Sequence, residues 1–215
     1  VRTAVSLMAL EDKDTKDNSP KANMRKAIRI FSKTPIALAA FFRARKGKKI
    51  ISPKKKLSFS ENFFYMCFGK IPNKEIVKAF DVSLILYAEH SFNVSTFTAR
   101  TITSSLSDIH GAITGAIASL KGPLHGGANE EVMNMMNKIK KPEKALKWIN
   151  KALKNKEVVM GFGHRVYKKG DSRVPTMEKY FKKVSKIKND KKFLRIYEIV
   201  KNVMIERKDI QPNVD

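Results

Sequence analysis

The chain has 215 residues, 42% of them hydrophobic, with 44 Lys and Arg against 20 Asp and Glu, a formal net charge of +24, and one cysteine. That apolar content fits a globular protein that folds by burial rather than a disordered one, and a lone Cys67 excludes an internal disulfide. No stretch approaches the roughly 20 apolar residues of a membrane span, and the N-terminus lacks the basic, apolar, small-residue order of a secretory signal, so a soluble cytoplasmic protein without membrane partners is expected.

The opening Val1-Arg2-Thr3 replaces the usual Met, as expected of a piece of a longer protein. Asp17-Asn18-Ser19-Pro20 reads as an N-cap followed by proline in the first turn, and opens a helix through Ile28, Phe31 and Ile36 that tolerates Pro35 only as a kink or break. The basic, glycine-containing stretch from Arg43 to Lys56 reads as a loop. Ser60-Glu61-Asn62 caps a short aromatic helix that stops at Gly69 and carries Cys67 as a buried, inert thiol. Asn73 caps the next, through Ile76, Phe80, Leu84 and Leu86 towards His90.

From Asn93 to Leu120 small and apolar residues, broken by Ser107-Asp108, predict two tightly packed, buried helices. Gly122-Pro123 ends them. A glycine-rich turn, Leu124-His125-Gly126-Gly127-Ala128-Asn129, then precedes a helix carrying Val132, Met135, Met136 and Ile139. Lys141-Pro142-Glu143 starts another, with Ala145, Leu146, Trp148, Ile149, Ala152 and Leu153 on its apolar side. The segment from Val158 to Arg173 holds three glycines, a histidine, two arginines and a tyrosine, cannot be one regular helix, and is the kind of loop that carries a site. Pro175 opens a helix to about Lys188, and Phe193, Leu194, Tyr197, Val200 and Met204 mark a last one before Ile210 to Asp215. Helical periodicity throughout predicts an all-α fold.

The positive charge alone could serve nucleic acid, anionic lipid or a polyanionic small molecule. The lysines are dispersed (Lys46, Lys48, Lys49, Lys54 to Lys56, Lys138 to Lys156, Lys179 to Lys192), without zinc-finger spacing, an RNA-recognition aromatic signature or a basic helix backed by heptads. A solvated surface is the simpler reading, and a nucleic-acid-binding helical protein is the rival it displaces. The four histidines, His90, His110, His125 and His164, show no H-x-x-x-H or H-E-x-x-H spacing, and Cys67 is remote from all of them in sequence, so no metal site is expected.

Singly, each histidine is more often structural than catalytic. His125 sits among small residues at a helix start, where a ligand can approach the backbone and neutral imidazole is favoured. His164 lies between glycine and Arg165, with Arg173 further on; an arginine fork matches a carboxylate and a histidine can polarise a carbonyl, which together suit an oxo-acid. Surface charge is the competing reading of both arginines, and spacing alone leaves the two open. Gly161-Phe162-Gly163 is neither a full dinucleotide fingerprint nor a P-loop.

Gly122-Pro-Leu-His125-Gly-Gly-Ala-Asn129 and Gly161-Phe-Gly-His164-Arg-Val-Tyr-Lys168 resemble the two signature segments of citrate synthases, in the family's order and separation. Ala88-Glu-His90 followed by Asn93-Val-Ser-Thr resembles a third segment, and Pro212-Asn-Val-Asp215 a fourth. Asp12 to Pro20, Ser60 to Gly69 and Gly170-Asp-Ser-Arg-Val-Pro-Thr-Met177 are more similar to bacterial 2-methylcitrate synthases than to the housekeeping citrate enzymes of the tricarboxylic acid cycle.

The resemblance implies an acyltransferase that condenses a short acyl-CoA with oxaloacetate and hydrolyses the thioester, propionyl-CoA being preferred over acetyl-CoA as in propionate catabolism. It implies Asp215 as the base, His125 as the donor to the thioester oxygen, and His164 as the group that polarises the oxaloacetate ketone. His90 and Arg173 would hold the carboxylates of oxaloacetate. Gly126, Gly127, Ala128 and Asn129, with the backbone of Val159, Met160, Gly161, Phe162 and Gly163, would lie along CoA, whose phosphates the positive surface would attract. No tightly bound cofactor is implied. The expected architecture is part of a large helical domain over 1–133 and part of a smaller, mobile one over 134–215, in a homodimer. Family members also carry two further arginines for oxaloacetate beyond the position of Asp215, one of them from the partner subunit, so the 215 residues alone are expected to show weak activity or none.

Overall fold

The computed structural model describes residues 1–88, 90, 92–164, 166, 167 and 169–215. The described residues form helices, turns and loops, with one isolated antiparallel bridge between Phe162 and Pro212 and no named strand. The helices are α1 (Arg2–Glu11), α2 (Pro20–Ala44), α3 (Phe59–Phe68), α4 (Lys74–Tyr87), α5 (Val94–Thr103), α6 (Ile109–Leu120), α7 (Ala128–Ile139), α8 (Ala145–Lys154), α9 (Val174–Ile187) and α10 (Lys192–Lys208), with one 3-10 turn at Pro142–Lys144. The all-α expectation holds. Among the described residues no helix is long and apolar enough to cross a membrane.

Local chemistry explains most boundaries. The Ser19 side chain accepts from the Ala22 amide at 3.3 Å and Pro20 takes the first turn, where its missing N–H costs nothing. Pro35 does not break α2, which continues to Ala44. The cap of α3 is Ser58, in a reciprocal capping box with Glu61, and not the expected Ser60. Ser60 instead lies inside the helix, fully buried, and donates to the Asp81 carboxylate. Asn93 and Asp108 cap α5 and α6 by accepting from Thr96 and Gly111. The helix α1 carries no side-chain cap and follows no cue that the sequence reading used.

The chain packs as two compact units, Val1–Asp81 with Phe92–Lys121, and Val82–Ser91 with Gly122–Asp215. In the first, Val5, Ala22, Ile30 and Ala112 are buried, and Ala39, Met66 and Cys67 make a second apolar cluster. Burial pushes the Cys67 thiol up, as expected of an inert cysteine. An ion network runs alongside: Arg29 bridges Asp12 and Asp14 at 2.6 Å each, Arg25 holds Asp14 at 2.7 Å, and buried His110 lies 3.4 Å from Asp12 and 3.5 Å from Asp108. The expectation that both helices of 93–120 are buried fails for α5. Its Val94 and Phe97 are 55% and 69% exposed, because small and apolar residues specify close approach, not which face is covered.

The second unit is built on one core, formed by Val132, Met135, Met136 and Ile139 of α7, Ala145, Ile149 and Ala152 of α8, Val159 of the following loop, and Ile196, Val200, Val203 and Met204 of α10. Leu146, expected on the apolar side of α8, is half exposed. The helix α7 belongs to this core, which lies within the unit of Val82–Ser91 and Gly122–Asp215.

Candidate functional site

Within the second unit, the loop between α8 and α9 meets the C-terminal segment. The Gly163 amide donates to the Gln211 carbonyl at 2.8 Å, and the Asn213 amide to the Gly161 carbonyl at 2.9 Å. The Asn213 side chain donates to the Gly163 carbonyl at 2.7 Å and accepts from the Asp215 amide at 3.0 Å. Gly161 is at φ +85°, and a Cβ there would lie 3.2 Å from Val132 Cγ2 and 3.6 Å from the Asp215 main-chain oxygen, so only glycine lets this loop close over the segment. Asn213 thereby ties Asp215 to the loop that carries His164.

The loop also fixes the histidine. Its Nδ1 accepts from the Val166 and Tyr167 amides at 3.0 and 3.2 Å, which leaves the ring proton on Nε2 as a donor. The His90 ring, three residues past the end of α4, stands edge-on to His164 at 5.2 Å between centroids and 83° between planes. Tyr167 packs against both, at 4.6 Å from His164 and 6.2 Å from His90, and the Arg173 guanidinium carbon lies 5.1 Å from the Tyr167 ring centre. Two imidazoles, a phenol and a guanidinium therefore share one patch.

Arg173 is held tightly. Its Nε donates to Asp171 Oδ1 at 2.9 Å and its Nη2 to Asp171 Oδ2 at 2.8 Å, while Nη1 lies 3.4 Å from the Leu86 carbonyl. The Asp171 side chain is wholly buried, and its hydrogen bonds with Arg173 hold its pKa below the usual carboxylate range against the opposing effect of burial. Asp215 goes the other way: burial, foremost, and then the Asp171 charge raise its pKa, with Arg173 and His90 pulling it down. A carboxylate made costly to ionise is a stronger base than an ordinary aspartate.

His125 lies in the turn before α7, partly buried, with its pKa lowered by burial and then by His90, so the imidazole is neutral at pH 7. The amides of His125 and Gly127 donate to the Gly122 carbonyl, and that of Ala128 to the His125 carbonyl, so the turn itself uses them. Tyr87, at the end of α4, shares its hydroxyl proton between the Val214 carbonyl at 2.6 Å and Asn129 Oδ1 at 3.2 Å, which joins the His125 turn to the segment of Asp215. Desolvation pushes the Tyr87 phenol up to about 12.

Of the expected site residues, His90, His164 and Arg173 form this patch. Asp215 and His125 are electrostatically coupled to it through Arg173 and His90. Gly126 to Asn129 form the turn into α7, and Val159 to Gly163 the loop opposite the C-terminal segment. The Val159 side chain is buried in the core, so only its backbone is available to a ligand. Arg165, the other candidate arginine, lies outside the described residues, as do Glu89 and Lys168 of the quoted motifs. Sequence reading passed over Tyr87, Tyr167, Asp171 and Asn213. A signal existed only for Asp171, two residues before a candidate arginine.

Fold and site together define a class, an all-helical protein whose histidines, arginine and perturbed carboxylate can polarise a carbonyl, bind a carboxylate and accept a proton. The family profile "Citrate synthase, C-terminal domain" matches residues 1–215. A citrate synthase of Mycolicibacterium smegmatis is 47% identical over 215 residues, covering 100% of this chain and 57% of the relative. A 2-methylcitrate synthase of Corynebacterium glutamicum is 50% identical over 220 residues, again covering 100% and 57%. A Thermoplasma acidophilum citrate synthase, solved as a ternary complex with carboxymethyl coenzyme A and oxaloacetate, superposes with a TM-score of 0.89 at 33% identity over 99% of this chain and 57% of that one. The chain belongs to the citrate synthase family, and it spans little more than half the length of these relatives.

Proposed function

We propose that the protein carrying this chain condenses a short acyl-CoA with oxaloacetate. The observation that bears the reading most is that the loop whose Val166 and Tyr167 amides donate to His164 Nδ1 is tied through Asn213 to the segment of Asp215, a carboxylate with a raised pKa that Arg173 faces. In this reading Asp215 removes a proton from the carbon next to the thioester carbonyl. Neutral His125 donates to the thioester oxygen as negative charge develops there.

The resulting enol carbon attacks the ketone of oxaloacetate, while the His164 Nε2–H stabilises the oxygen that becomes the tertiary hydroxyl. His90 and Arg173 hold carboxylates, and the backbone at Gly126 to Asn129 and Val159 to Gly163 borders the CoA arm. Water then hydrolyses the acyl thioester, releasing CoA and a tricarboxylate. The acyl-CoA is a co-substrate, and no resident cofactor enters the scheme. We take the working form to be a cytoplasmic homodimer in which the smaller domain closes over both substrates, excluding water before the enol forms.

Propionyl-CoA is the preferred acyl donor in this reading, on the similarity of the Asp12–Pro20, Ser60–Gly69 and Gly170–Met177 segments to 2-methylcitrate synthases. One methyl group in an apolar pocket is worth about 1–3 kcal/mol, so acetyl-CoA is turned over as well. Oxaloacetate-dependent release of free CoA by the complete natural protein, measured with each acyl-CoA, tests both parts. A kcat/KM for propionyl-CoA about 10-fold above that for acetyl-CoA supports the preference, and the reverse order overturns it. No CoA release with either substrate overturns the condensing activity itself.

A further inference from the structure

Among the described residues, Asp171 is the one fully buried charged side chain beside the site to which the scheme above gives no task. It is not a surface partner that Arg173 happens to meet. It takes two guanidinium hydrogen bonds through both oxygens and a third from the Arg173 amide at 3.0 Å, and its side chain has no exposed area. The bidentate grip occupies Nε and Nη2 and sets the guanidinium plane; Nη1 makes only the long 3.4 Å contact with the Leu86 carbonyl, and its second N–H can serve another partner. The Val214 amide faces the same carboxylate and helps to lower its pKa, next to Asp215. Tyr87 holds the other side of that peptide segment through the Val214 carbonyl.

We infer that Asp171 is a positioning residue, whose single carboxylate aims Arg173 at an oxaloacetate carboxylate and places a fixed negative charge facing Asp215. The inference rests on the condensing reading above. It assigns to one buried group the registration of two parts of the reaction, oxo-acid binding and proton removal, which a purely structural ion pair would not link. Among the described residues, the charged and titratable groups that face Asp215 are Arg173, Asp171 and His90, with the Tyr87 hydroxyl on the adjoining carbonyl. Of these, Asp171 is the one whose negative charge favours the protonated form of Asp215. Removing that charge while keeping the shape therefore makes Asp215 a weaker base.

The test is Asp171→Asn in the complete natural protein, with wild-type CoA release measured first. If the wild type releases no CoA, the condensing reading fails, and oxaloacetate binding alone then judges Asp171. With an active wild type, the variant is expected to raise the oxaloacetate KM by about 10- to 100-fold, since small misplacement of a binding group costs that much. The acidic limb of its kcat profile is expected to move down by about 0.5–1 pH unit as a like charge leaves the neighbourhood of the base. An unchanged KM together with an unmoved limb overturns the inference. If the asparagine variant does not melt cooperatively, Asp171→Glu replaces it. That variant keeps the charge and lengthens the arm, so the limb should return to the wild-type position with the KM still raised, and a wild-type KM overturns the inference.

Discussion

Replacing Tyr87 by phenylalanine removes one hydroxyl and leaves the ring. The hydroxyl lies 2.6 Å from the Val214 carbonyl and 3.2 Å from Asn129, so the change cuts a side-chain link from α4 to the residue before Asp215. A neutral hydrogen bond contributes about 0.5–1.5 kcal/mol net, and Tyr87 is 41% exposed, so water can take over part of the role; about 1 kcal/mol is expected. In a chain of this size that lowers Tm by about 2–4 °C. The larger effect should be kinetic, because Asp215 loses one anchor while His90, His164 and Arg173 keep theirs. We expect kcat to fall about 10-fold with an unchanged oxaloacetate KM. Steady-state CoA release and a thermal melt on the same preparation decide it. A kcat within twofold of wild type, alongside the expected loss in Tm, would refute the idea that this bond positions the base.

Other changes follow the same logic. Asp215 has a raised pKa, so its ionised form costs folding free energy above that pKa; Asp215→Asn should raise Tm at pH 7 while abolishing most turnover, and a lower Tm contradicts the assignment. Gly161→Ala forces a left-handed residue with a Cβ 3.2 Å from Val132, and should cost about 1–2 kcal/mol, read as a loss in denaturation midpoint. Asp12 and Asp14 have depressed pKa values, mainly from hydrogen bonds with Arg29 and Arg25, so their stabilisation is full above about pH 4 and is lost as pH falls further towards and through their folded values. Melts of the Asp12→Asn, Asp14→Asn double variant should therefore show a flatter acid dependence than wild type below pH 4.

What could be read from the sequence was local. Ser19-Pro20 sits beside the helix it caps, and the period of Val132, Met135, Met136 and Ile139 names one face of α7 without any knowledge of what covers it. The apolar side of α8 was right for Ala145, Ile149 and Ala152 and wrong for Leu146, since a hydrophobic stripe does not show where its neighbours end. Likewise, small and apolar residues predicted a buried α5, but such residues do not exclude exposure. The histidines and Arg173 were visible through glycine-flanked motifs. Tyr87 was not, because its partner is 127 residues away, nor was Asn213, whose side chain reaches back 50 residues to Gly163. Hydrogen bonds across such separations leave no periodic or spacing signal. Asp171 offered only its place two residues before a candidate arginine, and its burial is what distinguishes it.

The claim on which the rest stands is that Asp215 is the base in a site shared with His90, His164 and Arg173. It is tested most directly by exchange of the acyl α-hydrogens of propionyl-CoA for solvent deuterium, followed by NMR in the complete natural protein. Wild type should exchange them, and Asp215→Asn should exchange them at least about 100-fold more slowly while binding oxaloacetate as before. Exchange at the wild-type rate in Asp215→Asn would contradict the account.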